Sequence, residues 1–463
     1  MNRIETDICV IGAGSGGLSL APGAVQMGAR VVLVEAAEMG GDCLNHGCVP
    51  SKALIARARA ADARGAVPAD YPAAMDHVAA TIAAIAPHDS QERFEGLGCT
   101  VIRARARFTS PATVEAAGHE IVARRFVIAT GSRAAVPPIP GLADVPYLTS
   151  ETLFSLRERP GHLIVLGGGP IGIEMAQAHR RLGAEVTVIE AAKALGRDDP
   201  ELAAVVVGRL RAEGVEVREG VAATQVERGA GAVTVHLADG ASVRGSHLLV
   251  AVGRRANVVD LGLETAGVPF TAQGVTVGPE LRSPGNRRVY AVGDAAGGMQ
   301  FTHVAGYHAG IVVRQAVLGL PARASTHHIP RVTYTDPELA QVGLTEAEAR
   351  AAHGDRVEVL RIPFAGNDRA QAEGRTEGLL KVMVLRGRPI GAGIAGPHAG
   401  ELIGVWALAL SARLKLSQIA GSVMPYPTLG ETAKRAAGAY FSPRLFANPW
   451  LKRAVRLVQR YLP

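Results

Sequence analysis

At 463 residues, with 48% hydrophobic residues and no charged low-complexity tract, the chain has material for about three folded domains, which excludes an extended or disordered polypeptide. The net charge of +7 is spread over dispersed arginines and only 4% of residues are aromatic, which argues against nucleic-acid binding. Residues 1–10 hold no cationic stretch ahead of a long apolar core, no apolar run reaches bilayer length, and four cysteines are too few for a secreted disulfide scaffold, so a cytoplasmic location is expected.

The first predicted element is a buried strand over residues 7–11. Gly12-Ala13-Gly14-Ser15-Gly16-Gly17 follows and opens a helix, and residues 31–34 form the next strand with Glu35 at its end. In this pattern Gly12 permits a tight turn, Gly14 lets backbone approach a pyrophosphate, Gly17 lets helix and strand pack closely, and Glu35 accepts from a ribose hydroxyl. Pro22, inside the helix, removes one backbone bond and is expected to bend it.

Two cysteines come next, in Gly40-Gly41-Asp42-Cys43-Leu44-Asn45-His46-Gly47-Cys48-Val49-Pro50-Ser51-Lys52. A five-residue step reaches disulfide range only where the chain turns, which Gly47 and a helix starting at 50–51 allow. A thiolate at that helix start, with Lys52 nearby, has a lowered pKa. No second cysteine pair lies nearby to complete a zinc site, so the dithiol reads as redox and no metal is expected. Cys9 and Cys99 read as small buried side chains.

A strand over 126–128 runs into Ala129-Thr130-Gly131-Ser132, followed by the proline-rich stretch 137–141, a linker between domains. The dinucleotide pattern then repeats. A strand over 162–166 leads to Gly167-Gly168-Gly169-Pro170-Ile171-Gly172, a helix, and a strand over 185–189 ending in Glu190. Two dinucleotides are therefore expected. Glu190 favours NADH by accepting from a 2′-hydroxyl and repelling a 2′-phosphate, while Lys193 and Arg197 work against that preference and admit NADPH. Near 288–292 a further strand ends in Gly293-Asp294, where an acid can bind a sugar-like hydroxyl.

Taken together, these motifs, with Gly253-Arg254, Thr335-Asp336-Pro337-Glu338 and Val342-Gly343-Leu344-Thr345 in order, resemble the FAD-dependent pyridine nucleotide-disulfide oxidoreductases, the family of dihydrolipoamide dehydrogenase, glutathione reductase and mercuric reductase. The resemblance covers essentially the whole chain. It implies an α/β fold of two Rossmann-like dinucleotide-binding domains, glutathione reductase-like, plus an α+β C-terminal dimerisation domain. The expected boundaries are an FAD domain at 1–147 and 270–334, an NAD(P)H domain at 148–269, and an interface domain at 335–463. A homodimer whose active site is completed by the other subunit is expected.

The resemblance also implies roles. Gly12, Gly14, Gly17, Glu35, Gly41, Ala129, Thr130, Gly131, Asp294 and His303 would hold FAD, with Glu35 on the adenosine ribose and Asp294 on the ribityl chain. Gly167, Gly169, Gly172, Glu190 and Gly253 would hold NADH. Cys48 would be the thiolate against the flavin, Cys43 the interchange thiol, and Lys52 would sit near flavin N5, paired with Glu174. His303 lies where a helix start points at the flavin pyrimidine; His46, between the two cysteines, either influences the thiolate charge or simply faces solvent or bonds to backbone, while His308, His398 and the pair His327-His328 read as structural or connecting residues.

The chain departs from the family pattern near its end. Disulfide reductases of this family carry a histidine followed by Pro-Thr and a glutamate; here the segment is Met424-Pro425-Tyr426-Pro427-Thr428-Leu429-Gly430-Glu431, with Tyr426 in the histidine's place. A phenol titrates near ~10 and is a poor base at neutral pH, which argues against a housekeeping lipoamide dehydrogenase. A tyrosine here is similar to mercuric reductases, but the vicinal cysteines that end those enzymes are missing, since no cysteine follows Cys99. The expectation is an enzyme passing electrons from NADH through FAD to the dithiol and on to a disulfide or other soft acceptor, small molecule or small protein. Hg(II) or metal-ion reduction, dihydrolipoamide oxidation and quinone reduction are the alternatives. In the tail, Trp450, Leu451, Ala454, Val455, Val458 and Leu462 share one helical face, ringed by Lys452, Arg453, Arg456 and Arg460. That face suits docking on the protein itself, on a partner subunit, or on an anionic membrane.

Overall fold

The computed structural model describes residues 2–63 and 70–462 and falls into two compact units. The first contains residues up to 191 together with 218–325; the second contains 192–217 and 326 onward.

The first unit is built on six strands, β1 (Asn2–Ile11), β2 (Val31–Glu35), β3 (Thr100–Arg103), β4 (Arg107–Ser110), β5 (Thr113–Ala116) and β6 (His119–Ile128), ordered β3-β2-β1-β6-β5-β4. The pairs among β3, β2, β1 and β6 are parallel, and β4 and β5 return antiparallel. Strand Val289–Ala291, from late in the chain, adds parallel to β6. Alternation along β1 sends Ile8 and Val10 to one face and Cys9 and Ile11 to the other. The first pair packs with Leu33, Val127 and Tyr290 against Leu20, Ala21 and Ala24 of helix Ser15–Val25. The second joins Phe108, Phe126 and Val289. Burial drives the Cys9 thiol up to about 12 and also raises that of Cys99, so neither is a nucleophile. β1 starts five residues before the expected strand. Asn2–Glu5 is largely exposed, so no apolar pattern marks it; it forms because β6 is long enough to pair back to Asn2.

A second parallel sheet in this unit orders His247–Val250, His162–Leu166 and Glu185–Glu190. Its Ile164, Leu166 and Val250 pack against Val226, Val233 and Val235 of an antiparallel meander over 223–245. The two chain crossings between the sheets pair with each other: Ser132–Ala134 lies antiparallel to Arg254–Ala256.

The second unit is a five-stranded antiparallel sheet ordered Arg331–Thr333, Glu338–Gly343, Arg388–Gly396, Leu379–Leu385 and Val357–Pro363. One face carries Leu380, Val382 and Ile394 under helices Ala399–Ser411 and Glu431–Phe446, which bring Trp406 and Ala436. Lys381, buried and opposite Arg361 across the strands, alternates to the other face. Its Nζ meets Asp199 at 2.9 Å and Glu201 and Glu346 at 2.8 Å. Asp199 also caps helix Pro200–Ala212 by accepting from the Glu201 amide at 3.1 Å, so one ammonium ties a helix start to the sheet. Partial burial alone would raise the Glu346 carboxyl, but the Lys381 and Arg350 hydrogen bonds hold it at about 2. Lys381→Met leaves the buried Asp199 carboxylate without its cation, while Glu201 and Glu346 keep Arg361, and should destabilise the unit at pH 7 by about 3–5 kcal/mol. Because Glu346 is depressed, its contribution is present above the ordinary carboxylate range and lost as pH falls toward 2. The loss of melting temperature on substitution should therefore be smaller at pH 4 than at pH 7; an equal loss at both would mean the charges are irrelevant.

Candidate active site

The two glycine loops solve the same problem with the same geometry. At Gly12 the backbone has φ +109°, and a Cβ there would lie 2.4 Å from the Ala129 carbonyl oxygen; Gly167 has φ +108° and stands equally close to the Ala251 oxygen. At Gly17 and Gly172 a Cβ would fall 1.9 Å and 2.0 Å from the carbonyl oxygens of Gly12 and Gly167, so turn and helix touch through bare backbone. Gly14 and Gly169 differ. A Cβ at Gly14 would meet nothing closer than the Gly41 Cα at 3.7 Å, and one at Gly169 nothing within 4 Å. These middle glycines line open cradles at the starts of helices Ser15–Val25 and Pro170–Arg181, which fits the approach of a pyrophosphate. The strand-end acids brace the loops: Glu35 accepts from the amides of Ala13 at 2.5 Å and Ala37 at 2.7 Å, and Glu190 from that of Gly168 at 2.7 Å.

The dithiol lies between two short structural commitments. Cys43 is inside the short helix Gly41–Asn45, entered through Gly40 and Gly41 at φ +86° and +58°. Asn45 Nδ2 donates to the carbonyls of Met39 at 3.0 Å and Gly41 at 2.9 Å, which holds the loop closed. Helix Cys48–Ala63 starts two residues earlier than expected: the Ser51 amide already bonds to the Gly47 carbonyl at 3.1 Å, so Cys48 itself is the first helical residue. Its Sγ lies 3.4 Å from Oγ1 of Thr302, the first residue of helix Thr302–Val312. Cys43 is half-buried and Cys48 exposed.

A hydrogen bond from the Cys43 thiol is the main reason Cys48 is held down to about 6; desolvation opposes it, and Thr302 and the Lys52 ammonium reinforce it. Cys43, sharing that proton and partly buried, is pushed well above the usual thiol range. Lys52, one turn along the same helix, bonds through Nζ to Glu174 Oε2 at 2.9 Å, tying it to helix Pro170–Arg181.

Asp294 belongs to a network whose other members the sequence motifs left unassigned. Ser132 Oγ donates to Asp294 Oδ2 at 2.5 Å, and Arg254 Nε donates to the same Ser132 Oγ at 2.7 Å. Arg254 Nη2 reaches Asp42, beside Cys43, at 3.1 Å. Burial raises the Asp294 carboxyl, opposed by Ser132 and Arg254. His308 is structural: its Nδ1 accepts from the Gly293 amide at 3.2 Å. His303 stacks on Phe301 with centroids 5.3 Å apart. Ala129-Thr130-Gly131 stands where β6 ends, with Thr130 Oγ1 donating to the Asn257 carbonyl at 2.7 Å, and Gly253 has φ +137° just before Arg254.

Tyr426 and Glu431 lie in the second unit. The phenol is 69% exposed and donates to Asp368 Oδ2 at 3.0 Å; Arg435 holds the other carboxylate oxygen at 3.4 Å. The bond to Asp368 pushes the phenol above its ordinary value of 10. Glu431 Oε2 accepts from the Thr428 amide at 3.4 Å. The tyrosine's partner is thus Asp368, 58 residues away in the chain, which no local spacing reveals. Among the described residues no group of three or more His, Cys, Asp or Glu is placed to hold a metal ion.

Residues 6–309 match the family model for pyridine nucleotide-disulphide oxidoreductases, and 329–437 match that family's dimerisation domain. The chain is 36% identical to a mercuric reductase of Acidithiobacillus ferrooxidans, over 94% of this chain and 83% of the relative. It is 34% identical to a dihydrolipoyl dehydrogenase of Geobacillus stearothermophilus, over 94% and 96%. Among solved structures, the Cu(II) complex of the HOCl-induced flavoprotein disulfide reductase RclA from Escherichia coli superposes with a TM-score of 0.87 at 28% identity, covering 95% of this chain and 100% of that one. The chain belongs to the pyridine nucleotide-disulphide oxidoreductases, FAD-dependent enzymes that draw electrons from NAD(P)H and work through a redox-active disulfide.

Proposed function

We propose that the chain uses NADH to reduce a disulfide or another soft acceptor through Cys43 and Cys48. The observation that carries this reading is the split between the two thiols: Cys48 is stabilised as an anion by Cys43, Thr302 and Lys52, while Cys43 keeps its proton. Bound FAD supplies the two-electron link between nicotinamide and the disulfide. The residues at the two cradles, Gly12, Gly14, Gly17, Glu35 and Asp294 on one side and Gly167, Gly169, Gly172 and Glu190 on the other, would hold FAD and NADH respectively. With a disulfide acceptor, the Cys43 sulfur attacks one sulfur, the acceptor's S–S bond breaks, and the Cys43 proton goes to the departing sulfur, which leaves as a thiol. Cys48 then attacks Cys43, the second sulfur leaves as a thiolate that takes its proton from solvent, and the Cys43–Cys48 disulfide re-forms for the next two electrons. The dimerisation domain supports a homodimer in which Tyr426 and Glu431 complete the partner's site. An NADH-supplied, reducing compartment, the cytoplasm, suits this chemistry.

Hg(II) reduction is the second reading, favoured by the mercuric reductase relatives and by Tyr426, because thiolates take up a metal ion without a general base. Steady-state NADH oxidation against disulfides, quinones, oxygen and Hg(II) tests the choice. Turnover with quinone or oxygen alone, undiminished in Cys43→Ser, would overturn the dithiol route.

Three outcomes follow. The two-electron-reduced holoenzyme should show a long-wavelength absorbance from the Cys48 thiolate that fades below a midpoint near pH 6, since the anion is the form that lowering the pKa favours. Cys48→Ser should abolish it, Cys43→Ser should keep it, and Thr302→Val should move the midpoint upward; an unmoved midpoint would remove Thr302 from the argument.

Nucleotide choice rests on Glu190. The kcat/KM for NADH should exceed that for NADPH by about tenfold or more, roughly 1.4 kcal/mol or above, and Glu190→Gln should narrow the gap. A preference for NADPH would show that the carboxylate does not face the ribose.

Acid–base chemistry rests on Tyr426. Oxidation of dihydrolipoamide by NAD should be slow at pH 7 and climb toward alkaline pH as the free thiol ionises near ~8.5. Tyr426→His should speed it at pH 7, toward the roughly 100-fold that a positioned base can supply. Fast wild-type turnover at pH 7, unchanged in Tyr426→Phe, would restore the lipoamide dehydrogenase reading.

A further inference from the structure

The last helix described, Pro449–Tyr461, buries none of its residues. Helix Glu431–Phe446 buries Ala433, Ala436, Ala437 and Tyr440 in its own unit, and Arg444 pins it to Glu358 and lies over the Tyr440 ring at 3.7 Å. Beyond that anchor the chain turns away. Asn448 accepts from the amides of Trp450 at 3.0 Å and Leu451 at 3.2 Å, Pro449 takes the first helical position, and a capped helix runs over Pro449–Tyr461 with no buried residue. Its two faces are cleanly divided. Trp450, Leu451, Ala454, Val455, Val458 and Tyr461 fall on one side, and Lys452, Arg453, Arg456 and Arg460 on the other. Residues 449–461 contain no acid. Arg453 lies over the Trp450 ring at 5.0 Å and Arg460 over the Tyr461 ring at 5.5 Å, so cation and aromatic meet along the boundary between the faces. Leu445 and Phe446, at the end of the preceding helix, are exposed as well.

We infer that this helix lies on an anionic bilayer surface and holds the enzyme there. Charge selects this occupant. A second copy of the chain brings the same net +7 and the same four cations on this helix. An anionic bilayer supplies both requirements at once, negative headgroups for the four cations and an acyl boundary for the apolar face, with Trp450 and Tyr461 at the headgroup level their amphipathic rings prefer. The helix lies on the membrane and does not span it, since 13 residues reach about 20 Å against a hydrocarbon core of about 30 Å. Among the described residues no helix is long and apolar enough to cross a membrane. The inference does not depend on which acceptor the dithiol serves.

The test uses the full-length holoenzyme and vesicles of phosphatidylglycerol or of phosphatidylcholine. The protein should sediment with phosphatidylglycerol vesicles at low salt, be released by added salt, and ignore phosphatidylcholine. Of the two tryptophans, Trp406 is buried in the second unit's core and Trp450 is 73% exposed, so binding should shift emission to the blue through Trp450. Lys452→Glu with Arg456→Glu, and separately Leu451→Ser with Val455→Ser, should each lower vesicle partitioning at least tenfold while NADH turnover with a soluble acceptor is unchanged; these side chains are exposed, so the fold tolerates the substitutions. Failure to bind phosphatidylglycerol at low salt would overturn the inference. So would binding that both double variants retain, and so would variants that lower the oligomeric mass in analytical ultracentrifugation while vesicle binding persists, which would assign the helix to a subunit contact.

Discussion

A sulfur anion has to survive at neutral pH in a partly desolvated place, and the first unit is arranged around that requirement. Cys48 opens one helix and Thr302 opens another, and the two helix starts meet at 3.4 Å although 254 residues separate them in the chain. Each start carries amides without helical partners and a partial positive charge, so two such ends at one sulfur favour its ionised form. Lys52 adds a full charge from the next turn, and Glu174, nearly fully buried, fixes the direction of that charge. The same glutamate that orients the lysine works slightly against the thiolate, so the balance is electrostatically tuned and leaves Cys48 an anion without making it inert.

The nucleotide cradles show one sterically forced solution used twice. In each, the first glycine avoids a carbonyl on the neighbouring strand end, the third rests its helix on the first, and the second stays open. The strand-end acid in each then accepts from an amide inside the loop it faces. A single carboxylate thereby holds each loop in shape, so replacing it disturbs the loop itself. Arg254 extends the same economy: it stands one residue past Gly253, in the short strand that pairs with Ser132–Ala134, and links Asp42 of the dithiol loop to Ser132 and Asp294.

Local spacing carried a great deal of this. Glycine loops bounded by strand, helix and acid, and a cysteine pair leading into Ser51 and Lys52, announce themselves because each is a short stretch whose chemistry depends on its own neighbours. The amphipathy of 449–461 is legible for the same reason; that none of its residues is buried is not, because that depends on where the body ends. Thr302, Arg254, Asp42 and Asp368 escaped because each acts on a partner remote in the chain, and a threonine at a helix start or an arginine after a glycine is ordinary in isolation. The helix start at Cys48 was misplaced toward Pro50 because proline favours a first turn, whereas the Gly47 carbonyl had already taken the first bond. Exposed Asn2–Glu5 lengthened β1 without a hydrophobic signal, since its partner β6 and not its own pattern determined it.

The strand Val289–Ala291 has a consequence for how the chain comes into being. It completes the sheet begun by Asn2–Ile11 by pairing with β6, and its Tyr290 and Val289 fill the cores on either face of that sheet. During synthesis the ribosome therefore releases the first sheet with an open edge beside β6 and with unfilled cores on both faces, and it stays so while some 160 further residues emerge, among them the whole parallel sheet over 162–250. That inserted sheet has all of its own strands to hand and can close first. The part of the molecule encoded earliest is the later to finish, and until residue 291 appears its unpaired edge is the place where a nascent chain is most exposed to mispairing.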